Sequence, residues 1–263
     1  MQHVQTEVIA HFTALLAAGP VLSLMQLRQP LPPPASLHAP IFASQVLAFA
    51  ERVLLRGKGP ANTALAESLR LLQNNLLFSN RALAANLAAL VQRNQRLAVF
   101  GVSETVLASL GALAPRHARV LLVESGVRET GFEAFAARLR ADGRISEGTA
   151  CQGSDIVLVG AEAVFRNGVL TRPGSLQLAA GCRYLGRQFL VAAETTKFSD
   201  RFFGGEAQIF AELGAANRDD FGGAAGLHYD FVGLDLVTLL VTERGNLSAE
   251  EAQGAISKLF VVQ

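Results

Sequence analysis

The sequence predicts an α/β protein, an N-terminal helical domain followed by a Rossmann-like, mostly parallel sheet flanked by helices. Three observations predict it. Five short runs, Leu97–Phe100, Val120–Val123, Ile156–Val159, Phe189–Ala193 and Leu236–Val241, are apolar at nearly every position instead of alternating. Strands buried on both faces of a parallel sheet read this way. Helical segments separate the runs, and strands alternating with helices build βαβ units. Little in the first 93 residues looks like a strand, so the domains are placed at 1–93 and 94–263.

Within residues 4–18, Val4, Val8, Phe12 and Leu15 share one helical face, and Gly19-Pro20 ends the pattern. Gln29-Pro30-Leu31-Pro32-Pro33-Pro34 cannot be helix interior, because proline lacks the N–H and clashes with the preceding turn. It reads as an extended connector. Helix resumes at 41–55, breaks at Arg56-Gly57-Lys58-Gly59-Pro60, and returns in two runs at 61–77 and 79–93. In the second domain the clearest helix is 131–142. There Phe132, Phe135, Ala136 and Leu139 follow helical spacing, with Thr130 placed to cap the start and Gly143 to end it. A last helix begins at Ser248, has Glu251 at capping-box spacing and runs to Phe260. Gly204-Gly205, Gly222-Gly223 and Gly226 mark a long surface excursion over 204–226.

The chain of 263 residues is half hydrophobic and carries a net charge of +1. That balance argues against direct nucleic-acid binding and against a membrane-surface role. No uninterrupted apolar run is long enough to span a bilayer, and the first residues lack the basic start of a secretion signal. Cys151 and Cys182 match no zinc spacing and no disulfide framework, which points to a reducing, cytoplasmic setting. Cys151 falls in a loop before a strand. Cys182 lies in a helical run beside Gly181, where a cysteine is usually a small buried hydrophobe. The five histidines show no ligand spacing, and no G-x-G-x-x-G opens a helix after a strand. Neither a metal nor a cofactor is expected.

In open α/β sheets ligands sit beyond the carboxyl ends of the strands. Placed side by side, the strand ends give a crevice lined by Gly101 to Ser103, Glu124-Ser125, Gly160 to Glu162 and Glu194 to Lys197, with Arg172 approaching from a loop. An arginine, a lysine and the helix-start N–H groups at Gly174-Ser175 are chemistry that can hold a phosphate. The ligand set expected for a small sugar phosphate is Ser103, Glu162, Arg172, Gly174, Ser175 and Lys197. The plainer reading is that strand ends of any α/β protein carry polar residues, and that the acids pair with nearby bases.

From about Leu97 onward the chain resembles the initiation factor 2B family. The resemblance rests on Val123-Glu124-Ser125, the run Asp155 to Glu162, Asn167-Gly168, Pro173-Gly174-Ser175, Val191 to Phe198 and Tyr229-Asp230. The combination of VGAE, NG, a small-residue turn and AET-x-KF is specific where no single piece is. The family includes the alpha, beta and delta regulatory subunits of the exchange factor for translation initiation factor 2, and aldose–ketose isomerases of sugar phosphates. The isomerases carry a cysteine after the first strand of this half, where Gly101 stands here. They use an aspartate in a Gly-Ala-Asp turn, where this chain has Glu162. Asn-Lys before the turn is Thr171-Arg172, and the arginine after Glu-Ser is Gly126, with Arg128 close by. Glycine offers no proton, and lengthening Asp to Glu displaces the carboxylate. The resemblance therefore implies the fold with no catalytic residues. It implies a regulatory subunit closest to alpha, acting as a homodimer with beta and delta subunits and with translation initiation factor 2. A sugar-phosphate isomerase of the ribose 1,5-bisphosphate or methylthioribose 1-phosphate type, or a sugar-phosphate-binding relative, is the alternative.

Overall fold

The computed structural model describes residues 61–113, 118–124, 131–205 and 229–260, together with positions 8–10, 12, 14, 45 and 46. The proline-rich connector, most of the helix expected at 41–55, Thr130 and most of the glycine-rich excursion lie outside these residues. Of the first expected helix, Val8 and Phe12 are helical and buried, as the face assignment requires.

Helix α1 spans Ala61–Leu90 without interruption, where the sequence reading placed two runs. No glycine or proline lies inside it, so nothing breaks the hydrogen-bond ladder at the proposed join. It ends three residues before the expected limit. Asn94 then takes a left-handed conformation (φ 68°) in the turn just before the first strand.

Next come β1 (Gln95–Phe100), α2 (Glu104–Ser109), β2 (Ala118–Glu124), α3 (Phe132–Leu139), β3 (Gly143–Ser146), α4 (Glu147–Gly153) and β4 (Ile156–Gly160). After them lie β5 (Ala163–Phe165), β6 (Gly168–Thr171), α5 (Ser175–Tyr184), β7 (Gln188–Ala192), β8 (Asp230–Gly233), β9 (Leu239–Thr242), β10 (Gly245–Leu247) and α6 (Ala249–Phe260). The main sheet has the order β3-β2-β1-β4-β7-β9-β10, all parallel except the antiparallel β10. The chain winds outward from β1 to β3, then crosses back to β4. The topological switch therefore lies between β1 and β4.

The five apolar runs all become strands of this sheet, and the two faces explain their continuity. Phe100, Val157, Val159, Phe189 and Val191 pack on one face with Leu178 and Ala179 of α5 and Ile256 of α6. Leu97, Val99, Leu158 and Leu190 pack on the other with Leu83 and Leu87 of α1 and Phe135 of α3. The last steps of α1 thus belong to the sheet's core.

Three local readings change. The last expected strand, Leu236–Val241, begins later, at Leu239, because a 3-10 turn occupies Leu234–Leu236. Helix α3 stops at Leu139, with Arg140 left-handed (φ 51°) as its cap, and Gly143 opens β3 instead of closing the helix. That strand was not legible, since it is a four-residue edge strand whose residues are only half-buried or exposed. Cys151 lies within α4, not in a loop. The capping box at the last helix forms as read: Ser248 N–H donates to Glu251 (2.8 Å) and Glu251 N–H to Ser248 Oγ (3.3 Å).

A second sheet is antiparallel, with the order β5-β6-β8. Phe165 pairs with Gly168, so Arg166-Asn167 is a two-residue turn. A Cβ on Gly168 would sit 2.3 Å from the Phe231 ring and 2.6 Å from the Val232 carbonyl, so only glycine fits. The Asn167 side chain donates to the Phe203 carbonyl (3.0 Å) and accepts from its N–H (2.8 Å).

Candidate functional site

The site is built on the carboxyl ends of β1, β4 and β7. Gly101 follows β1 with φ 79°, a left-handed conformation that L side chains rarely adopt. Ser103 caps α2, its Oγ accepting from the Val106 N–H at 3.3 Å. It lies so close to the end of β4 that a Cβ on Gly160 would be 2.2 Å from Ser103 Oγ. The glycine and the serine together close the gap at the switch point.

Behind that closure lies a sealed polar group. Glu194 to Lys197, just past β7, are all buried. Lys197 Nζ donates to the Ala161 carbonyl at 2.5 Å and to Thr105 Oγ1 at 3.3 Å, and stands 3.6 Å from Glu194 Oε2. Thr105 Oγ1 in turn donates to the Glu194 carboxylate at 3.1 Å. One cation and one carboxylate, each hydrogen-bonded, tie together the loops after β1, β4 and β7. A buried charge is tolerated only when paired in this way. Two further groups hold the loop. The Glu243 carboxylate accepts from the Thr195 N–H (2.9 Å) and hydroxyl, and Gln45 Nε2 donates to the Thr195 and Phe198 carbonyls at 2.7 and 2.8 Å.

The acid after β4 has a different setting. Glu162 is half-buried, and its N–H donates to the Leu170 carbonyl at 2.8 Å. The Arg172 guanidinium lies 5.9 Å from the centre of the Tyr229 ring. Burial, and then the Glu162 charge, push the Tyr229 phenol well above its usual range, with Arg172 opposing. At the start of α5, Gly174 takes φ 98°. The N–H groups of Gly174 and Leu176 donate to Asp230 Oδ2 at 2.9 and 3.0 Å. A Cβ on Gly174 would meet Glu147 Oε1 at 2.4 Å, so a second carboxylate borders the same turn. Ser175 Oγ lies 3.3 Å from Thr171 Oγ1, which donates to the Gly160 carbonyl at 2.7 Å.

The six expected ligand residues therefore fall into two groups joined by the turn at Gly160 to Glu162. Lys197 belongs to the closed interior and half-buried Ser103 to its rim, and the polar atoms of both already have partners. Glu162, Arg172, Gly174 and Ser175 cluster at the start of α5, where Asp230 already accepts from two of the backbone donors. Carboxylates outnumber the arginine there, and an incoming phosphate would have to displace Asp230. Glu124 stands apart and pairs with Arg144 at 2.9 Å; Ser125 lies outside the described residues. Sequence reasoning missed Thr105, Glu147, Asp230, Glu243 and Gln45 as site residues. Tyr229-Asp230 was visible as a motif, but its pairing with a helix start 54 residues away was not. Among the described residues no cluster of His, Cys, Asp and Glu is arranged to hold a metal ion. No helix among them is long and apolar enough to cross a membrane.

A family model described as the initiation factor 2 subunit family matches residues 56–249. The chain belongs to that family. Methylthioribose-1-phosphate isomerase of Pseudomonas putida (strain GB-1) is 31% identical over 126 residues, covering 44% of this chain and 35% of that protein. The chain thus spans about a third of the length of this curated relative. Among solved structures, eIF2B beta from Chaetomium thermophilum superposes with a TM-score of 0.69 at 13% identity, over 97% of this chain and 85% of that one. The tetrameric eIF2B-beta2-delta2 complex from C. thermophilum gives 0.64 at 14% identity, over 85% and 75%. The translation initiation factor eIF-2B from Pyrococcus horikoshii OT3 gives 0.57 at 16%, over 91% and 96%. These likenesses agree in fold with the α/β architecture and the mostly parallel sheet read from the sequence.

Proposed function

We propose that this chain is a non-catalytic regulatory subunit of the kind that builds the exchange factor for translation initiation factor 2, alpha-like in its Glu162. The observation that carries the reading is the pair of strand ends at the switch point. The position where the family's isomerases place a cysteine is Gly101 in a left-handed conformation, so a cysteine there would be strained as well as missing. Lys197 and Glu194 are paired with each other inside the closure, so neither is a free acid or base beside that position. On this reading the chain forms a homodimer, meets beta-like and delta-like subunits, and contacts translation initiation factor 2 in the cytoplasm. The boundary near residue 93 divides a helical domain from the assembling domain in sequence, with the last steps of the helical part packed on the sheet.

Native mass measurement of the complex captured with this chain as bait tests it. Stoichiometric recovery of two family subunits with the factor is expected; a monomer without those subunits overturns the reading. A second reading is favoured by the isomerase relative at 31% identity: an aldose–ketose isomerase or sugar-phosphate binder, with Ser103, Glu162, Arg172, Gly174, Ser175 and Lys197 around the ligand. It expects turnover of methylthioribose 1-phosphate or ribose 1,5-bisphosphate, abolished in Glu162→Ala. Failing turnover, it expects a thermal shift with the phosphosugar that Arg172→Ala reduces.

A further inference from the structure

We propose that Cys151 and Cys182 form an oxidation site, a dithiol that a peroxide-class oxidant closes into an intramolecular disulfide. The sequence separates these residues and gives them different settings, but the fold brings them into contact. Cys151 lies on α4 and Cys182 on α5, with their sulfurs 3.6 Å apart. The Cys182 thiol donates to Cys151 Sγ, and the Cys151 thiol donates to the Leu178 carbonyl at 3.3 Å. The two sulfurs therefore face each other along a hydrogen-bonded line. Gly181 permits the approach. A Cβ there would lie 3.1 Å from Cys151 Sγ and 3.6 Å from its Cβ, so the absence of a side chain lets the Cys151 side chain rest on the backbone of α5.

Accessibility assigns the order of events. Cys151 is half-buried and is the more accessible of the two, whereas Cys182 is fully buried. Burial, with Cys151 beside it, holds the Cys182 thiol protonated far above the ordinary cysteine range, so it does not meet the oxidant first. In the first step the Cys151 sulfur attacks one peroxide oxygen and the O–O bond breaks. The sulfur becomes a sulfenic acid, and the other oxygen leaves with the thiol's proton as water. In the second, Cys182 Sγ attacks Cys151 Sγ and the S–O bond breaks. The hydroxyl then leaves with the Cys182 proton as a second water. Two thiols and one peroxide give one disulfide and two waters. The sulfurs lose two electrons and the peroxide gains them.

The bond would close a ring running from 151 to 182. That ring contains β4, the turn at Gly160 to Glu162, the β5–β6 hairpin and the start of α5. It would fix α4 against α5, and with α4 the Glu147 carboxylate beside Gly174.

The test titrates the reduced full chain with hydrogen peroxide and follows intact mass and peptide maps made without reduction. The expected result is a mass lower by about 2 Da, the loss of two hydrogens. It comes with a single crosslinked pair of peptides holding positions 151 and 182, reversed by dithiothreitol. The oxidised protein should also unfold at a higher temperature, because the crosslink restricts the unfolded chain. Cys182→Ala should instead collect oxygen on Cys151 in steps of about 16 Da. Cys151→Ala should leave Cys182 unmodified at the same dose. Any of three results overturns the proposal: oxygen added to the wild type without a crosslink, a crosslink between two chains, or both thiols still free to alkylate after denaturation.

Discussion

Two strand ends look alike in the sequence and differ in the fold. After β4 and after β7 an apolar run gives way to an acid, Glu162 in one case and Glu194 in the other. Glu194 is closed in by Lys197, Thr105 and the loop that Gln45 and Glu243 hold down. Glu162 stays half-buried beside Tyr229 and Arg172. The local pattern does not set the difference. What sets it is which distant residues the topology returns to each strand end. A carboxylate met by its own lysine becomes structure, and one left at a rim remains available.

Removing Lys197 tests whether the two strand ends differ in kind. Lys197→Ala strands the Glu194 carboxylate in the interior and should cost about 3–5 kcal/mol in urea unfolding, a typical loss for one partner of a buried pair. Glu194→Leu combined with Lys197→Met should recover most of it. If Lys197→Ala costs no more than a surface substitution, the sealed and open ends are not different in kind. Next in size is Asp230→Ala, which frees the Gly174 and Leu176 N–H groups and should cost about 1 kcal/mol, as loss of a helix cap does. If the helix start can also take a phosphate, this variant should gain a phosphate-dependent thermal shift that the wild type lacks.

The third test is pH. The folded-state phenol of Tyr229 is raised above its usual 10.0. Below pH 10 both folded and unfolded states keep the proton, and the contribution is fully present. Above it the unfolded chain gives up the proton first, so stability falls as pH rises. Tyr229→Phe should remove that part of the alkaline decline, seen by comparing urea midpoints from neutral pH upward. The smallest effect belongs to Glu162→Gln, within about 0.5 kcal/mol as for a substitution at a partly exposed position. Its charge is one of the groups raising the Tyr229 phenol, so the variant should bring phenolate absorbance in at lower pH.

The main sheet was legible because its strands are buried on both faces, and that requirement writes itself locally as five apolar runs. The small sheet was not. Its strands, β5 and β6, are three and four residues long, and β8 lies almost sixty residues further on. Of the site, Glu162 and Lys197 could be named from their place after a strand, but not their environments. Lys197 is consumed by Glu194, Thr105 and the Ala161 carbonyl. The donors at Gly174 and Leu176 are taken by Asp230. Pairings made across 36 to 92 positions of chain leave no trace in a window of neighbours.

Helix α1 carries a consequence for how the molecule is made. Asn86 donates to the Thr242 carbonyl at 2.7 Å, and Asn246 donates back to the Asn86 carbonyl at 2.9 Å, across 156 and 160 positions of sequence. A helix formed early in synthesis therefore waits for strands formed much later before its half-buried asparagine gains these partners. Contacts so distant in sequence demand a large loop closure before they return any stabilisation, and chains rich in them fold slowly. Until β9 and β10 leave the ribosome, the apolar face carrying Leu83 and Leu87 has an incomplete floor, and the nascent chain is exposed to association with its neighbours.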